Sequence, residues 1–153
     1  MTRRETVVAA RLWLWAAVIR PLKRTIPLDR LVRLVHRRPS GRDRSKRFEL
    51  RLARYLSRTG RFPSRPPANC LERSLGAYRM LCRANASPEL VIGVRRAAGR
   101  GVEGHVWVTV DGLPFAERFT ELASFTPIAR FDAQAQRHSS GTSGSLLAGI
   151  VLR

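Results

Sequence analysis

The sequence predicts an α+β fold: a helix beginning at Cys70, packed on a small antiparallel sheet, with a helical region ahead of it. Three observations carry this. Asn69 is a good helix N-cap, Glu72 stands at the position whose side chain reaches back to the cap, and Pro66-Pro67 cannot join the helix. Leu71, Leu75, Tyr78 and Leu81/Cys82 then recur at helical spacing. Downstream, Leu90, Ile92 and Val94 alternate with Val91, Gly93 and Arg95, and a second run, 103–110, ends in Asp111-Gly112, a strong hairpin signal. These features divide the chain into a helical region (1–60), a core (61–131) and a Gly/Ser-rich flexible tail with an apolar end (132–153).

Taken in order, residues 5–19 form an apolar helix containing Trp13 and Trp15 and ended by Pro21. Its apolarity runs all round. That favours packing on the domain over resting on lipid or a partner, although peripheral membrane contact through 5–19 remains open. A second helix spans 28–36, with Leu28, Leu31, Val32 and Val35 on one side and Arg30 and Arg33 opposite. His36 sits at its end, where a cation suits the helix dipole. A basic loop, Arg37 to Arg47, leads to a third helix at 46–57 that groups Phe48, Leu52, Tyr55 and Leu56. Residues 58–68 are a proline-rich loop into the Cys70 helix, which ends between Asn85 and Pro88. Ala97 to Gly101 is a turn. The strand 103–110 and the segment 113–119 flank Asp111-Gly112, giving three adjacent antiparallel strands with the Cys70 helix against their face. From Asp132 the chain turns polar and Gly/Ser-rich, then ends in the apolar run Leu146 to Leu152, and His138 in that tail is read as inert.

Composition narrows the classes. One 153-residue domain with 44% hydrophobic residues can build a core, which excludes wholesale disorder. The formal net charge is +18, nearly all from arginine, so acidic partners are favoured: nucleic acid, an anionic surface or acidic peptides. Cys70 and Cys82 lie twelve residues apart on one helix, about 18 Å along its axis, too far for a disulfide. No Cys/His spacing suggests a metal site, and no cofactor is expected. The two free thiols imply a reducing compartment, and no signal sequence or membrane-spanning run is evident, so a cytoplasmic location is expected.

Cys70 falls at the first turn of its helix, where unpaired backbone N–H groups and the dipole favour an anionic sulfur. A cysteine nucleophile needs a base, and the base needs a group to fix its tautomer. His105 is the histidine on a core strand, in phase with Trp107 and Thr109, so imidazole and indole share a face. Three carboxylates compete for the third position. Asp111 is six residues along the same strand, about 20 Å away, and serves the turn better. Glu103 lies two residues before His105 on the same face. Glu117 returns on the partner strand: a plain two-residue loop sets it opposite Val106 on the wrong face, and one extra residue or a bulge brings it beside His105. Glu117 is the residue favoured here.

The runs Asn69-Cys70-Leu71-Glu72-Arg73-Ser74-Leu75, Leu90-Val91-Ile92-Gly93-Val94-Arg95-Arg96 and Gly104-His105-Val106-Trp107-Val108-Thr109-Val110-Asp111-Gly112 resemble the transglutaminase-like leader peptidases of lasso-peptide biosynthesis. The resemblance spans about residues 66–130 and includes Phe125-Thr126-Pro127. The first third is similar only in general character. It implies a transglutaminase/papain-like core, with Cys70 as nucleophile and His105 as base, and removal of the leader from a ribosomally made precursor peptide. A separate leader-binding protein would deliver the precursor, because the chain has no room for such a domain, and an ATP-dependent cyclase would take the released core peptide. Glu117 stands where the family commonly has an acidic residue, usually aspartate. Such cores also host non-catalytic relatives, so a basic binding protein for nucleic acid or an acidic partner is the alternative. Against it, no nucleic-acid motif appears and the aromatics do not interleave with a basic stripe.

Overall fold

The computed structural model describes residues 3–38, 41, 43–58, 69–97, 99, 101–139 and 151–152. Three helices come first: α1 (Arg3–Thr25), α2 (Leu28–Val35) and α3 (Lys46–Arg58). Then come α4 (Cys70–Arg83), β1 (Pro88–Ala97), β2 (Gly101–Val110), β3 (Leu113–Pro114), α5 (Phe119–Leu122), β4 (Thr126–Phe131), β5 (Arg137–Ser139) and β6 (Val151–Leu152). The sheet runs β3-β2-β1-β4-β5 with antiparallel neighbours, and β6 adds in parallel to β2 at Glu103–Gly104. This is the α+β arrangement expected, with β4 and β5 widening the predicted three strands. Of the loop expected over 58–68, Arg58 closes α3 and the rest lies outside the described residues, as does the Gly/Ser-rich stretch from 140 to 150.

Strand alternation sorts the side chains into two layers. Leu90, Ile92, Val106, Val108, Ala129 and Phe131 join Leu71, Leu75, Tyr78 and Leu81 of α4 in the main core. Val91 and Trp107 point to the opposite face, where Leu122 and Phe125 cover them. His105 is in phase with Trp107, so α4 packs on the face that His105 does not occupy.

α1 runs through Pro21 and ends at Thr25, a correction to the predicted stop. An interior proline forfeits a backbone hydrogen bond and costs about 3 kcal/mol in an exposed helix. Here tertiary contacts hold the last turn: Ile19 is fully buried, Arg20 Nε lies 3.2 Å and Lys23 Nζ 2.7 Å from the Glu72 carboxylate of α4. Those same bonds correct the cap prediction. Asn69 Oδ1 accepts the Glu72 N–H at 3.0 Å as expected, whereas the Glu72 side chain bonds to α1. Glu72 is 3% exposed, so truncating it breaks both ion pairs to α1 and leaves a gap in the α1–α4 contact. Glu72→Ala is expected to destabilise the protein by about 2–4 kcal/mol, read from the denaturant midpoint.

The helix is apolar all round because it serves two surroundings. Leu12 and Ile19 are buried, and a Cβ at Gly76 of α4 would come within 2.9 Å of Leu12 Cδ2, so glycine opens the notch that lets the helices approach. Val7, Trp13, Leu14 and Val18 are exposed. Among the described residues no helix is long and apolar enough to cross a membrane.

The segment from Asp132, expected to begin a flexible tail, instead folds into the sheet as far as Ser139. Asp132 Oδ1 accepts the N–H groups of Gln134 and Gln136, both at 2.9 Å, and His138 Nε2 lies 2.8 Å from Asp132 Oδ2. This local turn folds β5 back on β4. His138, read as inert, braces that turn.

Candidate active site

Cys70 is the first residue of α4 and is 8% exposed. Ser74, one turn on, donates its hydroxyl to the Val106 carbonyl of β2 at 2.8 Å. Phe115 N–H bonds to the Val108 carbonyl, so Val106 and Val108 direct their carbonyls to the same outer side of β2. α4 is thereby fastened to β2 close to its first turn, and Cys70 itself borders the main core. Cys70 and His105, thirty-five positions apart in the chain, come near enough for the thiol to raise the pKa of the imidazole.

His105 is held by Glu117. Nε2 lies 2.7 Å from Glu117 Oε2. The hairpin explains how Glu117 arrives. Asp111 and Gly112 both have positive φ, 54° and 77°, and the pairs Thr109↔Pro114 and Val110↔Leu113 are those of a two-residue loop. Continuing that register would set Glu117 opposite Val106. Pairing stops instead after the Phe115 N–H bond, and Ala116 adopts φ of 63°, which turns the chain and sends Glu117 to His105. The predicted departure from a plain hairpin is a left-handed residue rather than an inserted one. β3 is correspondingly two residues long, not the full 113–119.

The other two carboxylates are engaged elsewhere. Asp111 binds Arg44 at 2.6 and 2.8 Å and Lys46 at 3.1 Å, and these cations hold its carboxyl well below the usual range. Glu103 pairs with Arg95 at 2.9 Å on the wall of the same cleft as His105. Cys82 is the contrasting thiol: burial pushes it up to about 11, which keeps it protonated and unreactive at neutral pH.

Burial works against a charged His105 ring, but its interactions with Cys70 and with the Glu117 carboxylate, which accepts from it, outweigh that cost, and the imidazole is raised to about 9. Aromatic rings fix its plane. The His105 and Trp107 centroids are 6.0 Å apart at 18°, and Phe125 lies 5.2 Å from His105 at 35°. Gly93 of β1, directly opposite His105, makes room for this stack: a Cβ there would lie 2.7 Å from Trp107 Cη2. Gly93→Ala is expected to displace the indole, cost about 1–3 kcal/mol, and change tryptophan fluorescence together with the His105 titration.

Beyond the ring opens a cleft of about 800 Å³, bounded by Leu56, Arg73, Arg95, Glu117, Leu122 and Phe125. Phe125 and Leu122, from a segment the sequence reading left without structure, were missed as site residues. The Phe125-Thr126-Pro127 run was the available signal. Among the described residues no cluster of side chains could hold a metal ion.

A sulfur at a helix start, an imidazole on a strand and a carboxylate turned to that imidazole are thus brought into one region, with the imidazole and the carboxylate on the wall of an open cleft. The model of the transglutaminase-like superfamily matches residues 13–130, and the chain belongs to that superfamily, which includes cysteine peptidases. No curated protein and no solved structure matches the chain.

Proposed function

We propose that the protein is a cysteine peptidase that removes the leader from a ribosomally made lasso-peptide precursor. The observation that supports this is the position of His105, 2.7 Å from Glu117 and with its pKa raised by Cys70, at the wall of a cleft of about 800 Å³. Cys70 is the nucleophile, His105 the base and acid, and Glu117 the residue that orients and charges the ring.

In the reaction, Cys70 sulfur attacks the carbonyl carbon at the leader–core junction. The tetrahedral oxyanion is met by backbone N–H groups at the start of α4, which lack helical partners. Imidazolium His105 gives its proton to the departing core-peptide amine as the C–N bond breaks, leaving the leader as a thioester on Cys70. Neutral His105 then takes a proton from water, whose oxygen attacks the thioester, and the freed sulfur and imidazolium are restored. The Glu117 carboxylate holds and stabilises the charged ring. The precursor, a separate leader-binding protein and the ATP-dependent cyclase are the partners this function requires.

The test is direct. The protein is incubated with a lasso precursor and its leader-binding protein, and cleavage is followed by mass spectrometry for wild type, Cys70→Ala and His105→Ala. Cleavage at the leader–core junction by wild type alone supports the reading, and unchanged cleavage by either variant overturns it. The net charge of +18 favours one competitor, a basic nucleic-acid binder, for which both variants would keep a steeply salt-dependent affinity for DNA or RNA.

A further inference from the structure

Arg73 lies three residues after Cys70 on α4, hence on the same side of the helix, and its side chain borders the cleft that His105 and Glu117 also line. It is a cation without an anion. Its Nε is enclosed and has no hydrogen-bond partner, and its one bond, from Nη2 to the Leu56 carbonyl, is long at 3.4 Å. Among the described residues no carboxylate comes within ion-pair distance of it. Arg73 is half-buried, and of the five donors in its fixed fork the enclosed Nε is the one left without an acceptor, while the outer nitrogens stay open to the cleft.

The charges nearby do not supply it. Glu117 is committed to His105 and Glu103 to Arg95. The two other ionised side chains of the cleft, Arg118 and Glu121, are exposed and opposite in sign. What remains uncompensated in the cleft wall is Arg73.

From this geometry we infer that Arg73 forms an anion subsite beside Cys70, which receives a carboxylate side chain of the bound peptide. The inference rests on the reading of Cys70 as a nucleophile and adds to it a substrate class: peptides with an acidic residue close to the scissile bond. Arginine suits the task, since its planar fork matches a carboxylate with two parallel hydrogen bonds. Because those bonds form in the bound complex, the subsite acts on binding and positioning, not on bond breaking.

Two small thiol reagents test this without the natural substrate. Iodoacetamide and iodoacetate both form an S–C bond to the cysteine with loss of iodide, and they differ in that iodoacetate carries a carboxylate. Alkylation of Cys70 at pH 7 is measured by peptide mass spectrometry in wild type, Arg73→Gln, Arg73→Lys and Arg33→Gln, the last an exposed arginine of α2 that controls for loss of one positive charge. The expected result is a wild-type preference for iodoacetate over iodoacetamide of about 10-fold relative to a free thiol, the order of a single charge-assisted contact. That preference is lost in Arg73→Gln, partly kept in Arg73→Lys and unchanged in Arg33→Gln. In unaltered protein, N-acetylglutamate should slow iodoacetamide labelling where N-acetylglutamine does not, which keeps the test independent of how any variant folds. Brisk iodoacetamide labelling with no iodoacetate preference, or a preference untouched by Arg73→Gln, overturns the subsite and leaves the nucleophile standing. Failure of both reagents to label Cys70 above the rate of unfolded protein overturns the nucleophile, and the subsite falls with it.

Discussion

Cys70→Ala is expected to abolish cleavage, with a loss of roughly 10⁴- to 10⁶-fold in kcat, while the protein keeps its fold. The size of the effect follows from the chemistry: without sulfur there is no thioester, and water must attack the peptide carbonyl unaided. The fold survives because the change removes one small atom at the end of a helix whose cap, Asn69, and whose anchors, Glu72 and Ser74, are untouched. Cys82 cannot substitute. It is buried in the body of α4, and its thiol is pushed up to about 11. The check is product formation by mass spectrometry beside far-ultraviolet circular dichroism. A folded Cys70→Ala protein that retained even one per cent of wild-type cleavage would contradict the mechanism.

The second large effect is that of Glu117→Gln, which keeps a hydrogen-bonding oxygen near His105 and removes the charge. A drop in kcat of about 10²- to 10⁴-fold is expected, with little change in KM, because the ring loses both its fixed orientation and the charge that stabilises imidazolium. The pH dependence should move with it. In wild type the alkaline limb of activity reflects loss of the His105 proton at about 9, and in Glu117→Gln it shifts towards the ordinary histidine value of about 6.5. Stability follows the same sign. Because the folded ring titrates above the unfolded one, its contribution is complete below about pH 6.5 and is lost as pH rises through about 9. Denaturant midpoints of wild type should therefore fall between pH 6 and pH 10 more steeply than those of Glu117→Gln.

Much of this site was legible in the residues. The Asn69 cap marks the start of α4, and strand alternation placed His105 with Trp107 because period-2 patterning needs only local sequence. The hairpin was legible too, since Asp-Gly tolerates the two positive φ angles that a tight turn demands. What escaped depends on non-local contacts. Nothing local says that a helix will run through Pro21. The reason lies fifty residues away, in the Glu72 carboxylate that Arg20 and Lys23 reach. Nor does local pattern tell which sheet face takes α4, because both faces of β2 carry large apolar side chains. β4 was obscured by Pro127 and Arg130 within a short run, and β5 by its setting in polar, turn-rich sequence. Ala116 in the left-handed region is invisible to propensity, since alanine gives no warning of it, yet it delivers Glu117 to His105.

Whether one imidazole lies between a sulfur and a carboxylate is read directly by nuclear magnetic resonance titration of the His105 ring. In wild type the ring should protonate at about 9. Cys70→Ala and Glu117→Gln should each lower that value, and the double variant should bring it near or below 6.5. A His105 that titrates near 6.5 in wild type and is indifferent to both substitutions would mean that the three groups do not act on one another.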